Sequence, residues 1–355
     1  MEKYFENTED GFNAVVRFEE MIENHQQFFF EWMTYELIIQ YYTQKRNYKK
    51  ALVACEYAEQ QHPYSFEVFF EKAQIYIELN HYELALECIE YAQKFQPVDM
   101  ELLSFKGAVF MQIEQYENAI TCFESIYNFL SNKAEINYQL GICYQCIEEM
   151  NQAIQFFQKT LEEEPLHENA LFELATCLEE SNQLEDSIKY YHRYVDEDPF
   201  SAVAWYNIGV LCDRLKKYDD AIDAYEYAIA IDDEFSSVYY NLALTYMALE
   251  NYEKAVFHFV ETIKLEGDLL DEKLHLCLAH CYFQIDKFSK AIKHYHTVIK
   301  CNSKEDEAWF GLGACLFNQK KWLESSHFYT KATKLQSKNA KYWFCLLYTS
   351  PSPRD

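Results

Sequence analysis

Apolar positions along this chain recur with helical spacing, and the whole pattern recurs every 34 residues. It is clearest from Ala202 to Phe235, AVAWYNIGVLCDRLKKYDDAIDAYEYAIAIDDEF. Trp205, Ile208, Gly209 and Cys212 fall three, four and seven residues apart, which predicts one stripe of a helix. Tyr218, Ala221, Tyr225 and Ala228 predict a second stripe. Between them, Lys216 and Lys217 leave room only for a tight helix-to-helix turn. The unit is therefore a helical hairpin. Helices of fewer than about 15 residues are marginal alone, so each hairpin must be stabilised by stacking on its neighbours.

Units in this frame begin at Trp32, Phe66, Met100, Ala134, Glu168, Ala202 and Ser236. The small residue of the second helix fixes the alignment: Ala51, Ala85, Ala119, Ala153, Ser187, Ala221 and Ala255. Only a small side chain lets two helices approach closely there. The step then lengthens to 36 before Ala291, which predicts two extra residues in a turn near Leu270 and Asp271. Ser325 restores the spacing in Asp306 to Asn339, making nine complete units over 32–339. Pro63, Pro97, Pro165 and Pro199 share the slot that stops the second helix. Ahead of the array, residues 1–31 predict one amphipathic helix through Phe12, Val15, Val16, Glu19, Met21 and Ile22, expected to cap the first hairpin. Residues 340–347 begin a tenth, truncated unit with Trp343, Leu346 and Leu347 in register, and 348–355 (YTSPSPRD) read as an irregular, artefact-like tail.

This pattern resembles the tetratricopeptide repeat, in the long multi-repeat arrays of bacterial type, over about Trp32 to Leu347. Tyr239, Leu242, Ala243 and Tyr246 match the family's bulky, large, small and aromatic series, as Tyr252, Ala255 and Phe259 match its second helix. Cys212 departs from the usual aromatic. The resemblance implies an all-α, right-handed superhelical solenoid of antiparallel helix pairs whose first helices line a concave groove.

Composition adjusts this picture in three ways. No apolar run approaches the roughly 18 residues of a membrane helix, and the acidic start MEKYFENTEDGF lacks a secretory signal, so a cytoplasmic address is expected. The net charge of −27 repels nucleic-acid backbone and acidic membranes. It is lopsided: residues 1–285 hold 19 basic and 52 acidic side chains, whereas 286–341 hold 11 lysines and 5 acids. Such a dipole favours head-to-tail contact or a partner gripping the lysine-rich end, against the plainer reading of solvated outer faces. Among the 12 cysteines, Cys143, Cys177, Cys281 and Cys315 recur at the tenth slot, which reads as a small buried side chain in a reducing compartment.

Candidate chemistry is sparse. Cys143 and Cys146 form C-x-x-C inside a helix rather than at a helix start, away from thiolate stabilisation. His275, Cys277, His280 and Cys281, with His294 and His296 beyond, are ligand-like in spacing, but Cys281 occupies the core slot, so no metal is assigned. No catalytic motif or cofactor loop stands out, and a non-catalytic scaffold is expected.

In the family, the fifth, ninth and twelfth residues of each unit line the groove, and here that face carries Phe70, Tyr138, Phe172, Tyr206, Tyr240 and Phe310, extended by Leu244 and Met247. Aromatic side chains on such a surface can anchor a peptide, or else be buried between neighbouring first helices. Asn207 and Asn241 follow two of these tyrosines and suit either a peptide backbone or a hydrogen bond to the next unit. The slots where some family members grip a terminal carboxylate hold Glu36, Gln40, Phe70, Gln74, Glu101, Glu135, Tyr138 and Ile142, so the basic clamp is missing. A neutral or basic segment is the expected partner. The alternative is the regulatory or substrate-selecting region of a longer enzyme, truncated near Leu347.

Overall fold

The computed structural model describes residues 9–267 and 272–349. Among them every regular element is a helix. The chain divides into two compact units, Met1–Cys177 and Leu178–Asp355.

In the first unit α1 (Glu9–Glu23) is followed by α2 (Trp32–Gln44), α3 (Tyr48–Gln61), α4 (Phe66–Glu78), α5 (Tyr82–Gln93), α6 (Met100–Gln112), α7 (Tyr116–Tyr127), α8 (Ala134–Cys146), α9 (Met150–Glu163) and α10 (Glu168–Glu180), within which the unit boundary falls. Helix α1 packs on α2 through Phe18, whose ring centroid lies 6.1 Å from Tyr35, 5.8 Å from Tyr57 and 6.4 Å from Phe30. The link between α1 and α2 is held by Gln61 at the end of α3. Its Oε1 accepts from the Phe30 N–H at 2.9 Å and its Nε2 donates to the Phe28 carbonyl at 2.8 Å.

In the second unit follow α11 (Leu184–Glu197), α12 (Ala202–Arg214), α13 (Tyr218–Ile231), α14 (Ser236–Ala248), α15 (Tyr252–Glu266), α16 (Glu272–Gln284), α17 (Phe288–Cys301), α18 (Asp306–Asn318), α19 (Trp322–Leu335) and α20 (Ala340–Thr349). Its helix pairs are joined by a recurring bond: the indoles of Trp205, Trp309 and Trp343 donate to the carbonyls of Pro199, Ser303 and Ser337, six residues earlier, at 2.8–3.0 Å. Each bond satisfies a carbonyl in the turn between hairpins that no helix can use.

The same packing device builds both units. The small second-helix residues, from Ala51 to Ala291 and Ser325, have no exposed surface. The cysteines of the tenth slot are fully buried too, and burial pushes the thiols of Cys143, Cys281 and Cys315 up to about 12. Each hairpin turn uses one left-handed residue that is not glycine: Arg46, Asn80, Glu114, Glu148, Asn182, Lys216, Glu250, Asp286 and Lys320, with φ between 54 and 64°. The following N–H then reaches back to the first helix, as from Lys217 to the Cys212 carbonyl at 2.9 Å, closing the helix end.

Leu270 and Asp271, expected in a turn, lie outside the described residues. Helix α20 runs through Tyr348 and Thr349, two residues beyond the sequence expectation, because no breaker precedes Pro351. The Thr349 hydroxyl donates back to the Cys345 and Leu346 carbonyls. Residues 350–355 are outside the described range. No helix of the described residues is long and apolar enough to cross a membrane.

Candidate functional site

The aromatic side chains of the first-helix face are half-buried. Tyr138, Tyr206, Tyr240 and Phe310 rest on the second helix of their own hairpin, where ring-on-ring contact needs no polar partner. Tyr138 lies 6.0 Å from Phe157, Tyr206 6.2 Å from Tyr225, Tyr240 5.7 Å from Phe259, and Phe310 5.3 Å from Tyr329. Burial raises the Tyr138 hydroxyl above its ordinary pKa, with Glu173 and Glu135 adding to the effect. Phe172, on α10, is also half-buried.

In the first unit, Phe70 stacks on Phe66 at 5.7 Å and meets the edge of Phe105 at 5.2 Å. Phe70 and Phe105 line a cavity of about 470 Å³ with Gln74, Met100, Glu101, Ser104, Ile126, Leu130 and Glu135. Phe105 was missed by the sequence reading because it stands one place after the fifth slot, where its unit has Ser104. Its proximity in register to Phe70 was the available signal.

In the second unit, the Asn241 amide donates to the Tyr206 hydroxyl at 2.9 Å, tying α14 to α12. This is a hydrogen bond to the adjoining repeat, one of the two roles expected for this asparagine. Asn207 and Leu244 are half-buried on the same two helices. Beneath Tyr206, the Asp213 carboxylate accepts from the Tyr225 hydroxyl at 2.9 Å and the Thr245 hydroxyl at 2.7 Å. Burial raises the Asp213 pKa, and those two bonds oppose the rise.

Met247 and Phe310 share a second cavity of about 540 Å³ with Cys277, His280, Glu307, Lys341 and Tyr342. Tyr342 stacks on Phe310 at 4.6 Å, and the Lys341 ammonium sits 5.1 Å from the same ring. Sequence spacing did not single out Tyr342 or Lys341, since they belong to the incomplete tenth unit. The histidines and cysteines there are dispersed: Cys281 is in the core, while His275 Nδ1 faces His294 Nδ1 at 3.0 Å. No group of three metal-ligating side chains occurs among the described residues.

Three tetratricopeptide-repeat family profiles match residues 202–235, residues 148–207, and residues 66–99 and 236–268. No curated protein matches the sequence. Among solved structures, the C-terminal part of a TPR repeat-containing protein from Cytophaga hutchinsonii is 18% identical, with 70% of this chain and 99% of that one aligned at a TM-score of 0.56. YrrB, a TPR protein with an unusual peptide-binding site, is 19% identical over 54% of this chain and 96% of its own, at 0.49. The pilF protein of Pseudomonas aeruginosa is 17% identical over 61% and 97%, at 0.48. The profile matches fall on the hairpins whose packing is described above, so residues 66–99 and 148–268 are tetratricopeptide repeats, a repeat that serves protein–protein interaction.

Proposed function

We propose that this chain is a non-catalytic adaptor that holds a neutral or basic polypeptide segment against its first-helix face. The observation that carries the reading is the half-buried state of the aromatic series. The rings of Tyr138, Tyr206, Tyr240 and Phe310 are each fixed from behind by their own hairpin yet keep exposed surface for a ligand. Rigid aromatic side chains lose little entropy on binding, which makes them efficient anchors. In this reading α1 caps the first hairpin through Phe18, residues 32–339 form nine complete repeats, and the partner lies across first helices.

The test is recovery of partners by the tagged protein and by a Tyr206→Ala, Tyr240→Ala variant, compared by quantitative mass spectrometry. Specific partners should be depleted from the variant while its helical circular dichroism is retained. An unchanged set of partners from the folded variant rejects the aromatic face as the binding surface.

A further inference from the structure

The cavity in the first unit has a chemistry that the aromatic series alone does not convey. Its floor is apolar, formed by Phe70, Phe105, Met100 and Leu130, while the carboxylates of Glu101 and Glu135 lie on its lining. Among the described residues no lysine or arginine lines it. The nearby lysines are engaged elsewhere. Lys72 pairs with Glu59 at 2.9 Å, Lys106 donates to the Gln93 amide oxygen at 2.9 Å, and Lys133 sits 4.5 Å from the Tyr127 ring. Glu135 accepts from the Gln139 amide at 2.6 Å, a neutral donor that leaves its charge uncompensated. Outside the cavity lining, the first helices α2 and α4 carry a second acidic pair, Glu36 and Glu71. Burial and then the charge of Glu36 push the Glu71 carboxyl up to about 6. A face that concentrates carboxylates over an apolar floor and turns its own cations away favours a cationic ligand with an apolar stem.

Resting on the adaptor reading, we infer that this cavity is a recognition pocket for a lysine or arginine side chain flanked by a bulky apolar residue on the partner segment. The aliphatic part of the side chain and its apolar neighbour lie against Phe70, Phe105 and Leu130. The cationic head meets Glu101 and Glu135, which are both exposed and therefore replaceable without loss of fold.

The test is selection of a phage-displayed random dodecapeptide library on the full chain, followed by affinity measurement of the enriched peptides by fluorescence anisotropy. Enriched peptides should carry Lys or Arg beside an apolar residue. A Glu101→Gln, Glu135→Gln variant should bind them about tenfold more weakly, as expected for loss of charge-assisted contacts. A Glu117→Gln, Glu162→Gln variant, which makes the same change in net charge on second helices, should bind them unchanged. Enrichment of acidic peptides overturns both readings. Enrichment of neutral peptides overturns the pocket while leaving the adaptor reading standing. So does equal weakening in both variants, or weakening in neither. Failure to enrich any peptide overturns the adaptor reading and this inference with it.

Discussion

The fate of single residues here depends on what pins their neighbours. A Cβ added at Gly209 would lie 2.4 Å from the Tyr225 ring, and one at Gly107 would lie 2.5 Å from Phe123, so by distance alone the two sites are alike. They differ in freedom: the Tyr225 hydroxyl is held by Asp213, whereas Phe123 has no polar tether and can slide. Alanine gains about 1 kcal/mol of helix propensity over glycine, and overpacking costs about 1–3 kcal/mol. Gly209→Ala should therefore lower the melting temperature clearly, and Gly107→Ala should leave it nearly unchanged. Equal effects in thermal melts would refute the tether. A second residue-scale device is titratable. Burial holds His258 and His294 down at about 4, with Lys254 adding to the effect at the first, and His275, Lys290 and Lys293 at the second. Unfolded histidine titrates near 6.5. Between pH 6.5 and 4 the unfolded chain thus binds protons that the folded chain refuses, and stability falls as pH drops through that window. Both rings stack on a tyrosine, His258 on Tyr246 and His294 on Tyr282, as Phe156 does on Tyr144 at the same slot. Replacing both histidines by Phe should reduce the stability lost between pH 6.5 and 4 by about 1 kcal/mol per site, allowing for solvent screening of part-exposed rings, and so flatten the acid-side fall of the melting temperature. An unaltered slope would place the proton uptake elsewhere.

At the scale of the element, the hairpin turn shows what sequence reasoning could and could not extract. Lys216 and Lys217 were legible as a tight joint because the stripes of Trp205 and Tyr218 run up to them from both sides. The left-handed backbone at Lys216 was not legible, since glycine is the usual mark of that conformation and none stands at this slot in any described hairpin turn. The strain of a side chain in the left-handed region is about 1–2 kcal/mol. Lys216→Gly removes it without losing a contact, because the stabilising bond is made by the backbone of Lys217. The variant should gain about 0.5–1 kcal/mol, part of the relief being offset by the greater freedom of glycine when unfolded. Denaturant titration checks this, and a destabilised Lys216→Gly would mean that the side chain itself holds the turn. The asparagine pair was legible only as an ambiguity. Position could place Asn241 beside a neighbouring first helix, but only the spacing of α12 and α14 brings its amide to the Tyr206 hydroxyl.

For the whole molecule, the all-α fold was readable because a 34-residue period constrains every hairpin at once, so errors at one helix end do not propagate. The candidate site was readable only in outline. A periodic rule finds the fifth slot, but the cavities are assembled from residues that break the rule, such as Phe105 in the first unit and Lys341 in the second. The same periodicity dictates how damage spreads. Within the second unit each helix packs chiefly on its sequence neighbours, α12 on α13, α13 on α14, α14 on α15, with a weaker contact between successive first helices. Stability in such an array is a sum of hairpin and interface terms rather than the property of one core. A lesion in α12 large enough to displace the tethered Tyr225 ring, such as Gly209→Val, should therefore act by distance along the chain. Amide hydrogen exchange should show the greatest loss of protection in α12 and α13, a smaller loss in α14 and α15, and little in α18 and α19. Uniform loss across all these helices would mean that the second unit melts as a single cooperative block, and the nearest-neighbour account of its stability would have to be abandoned.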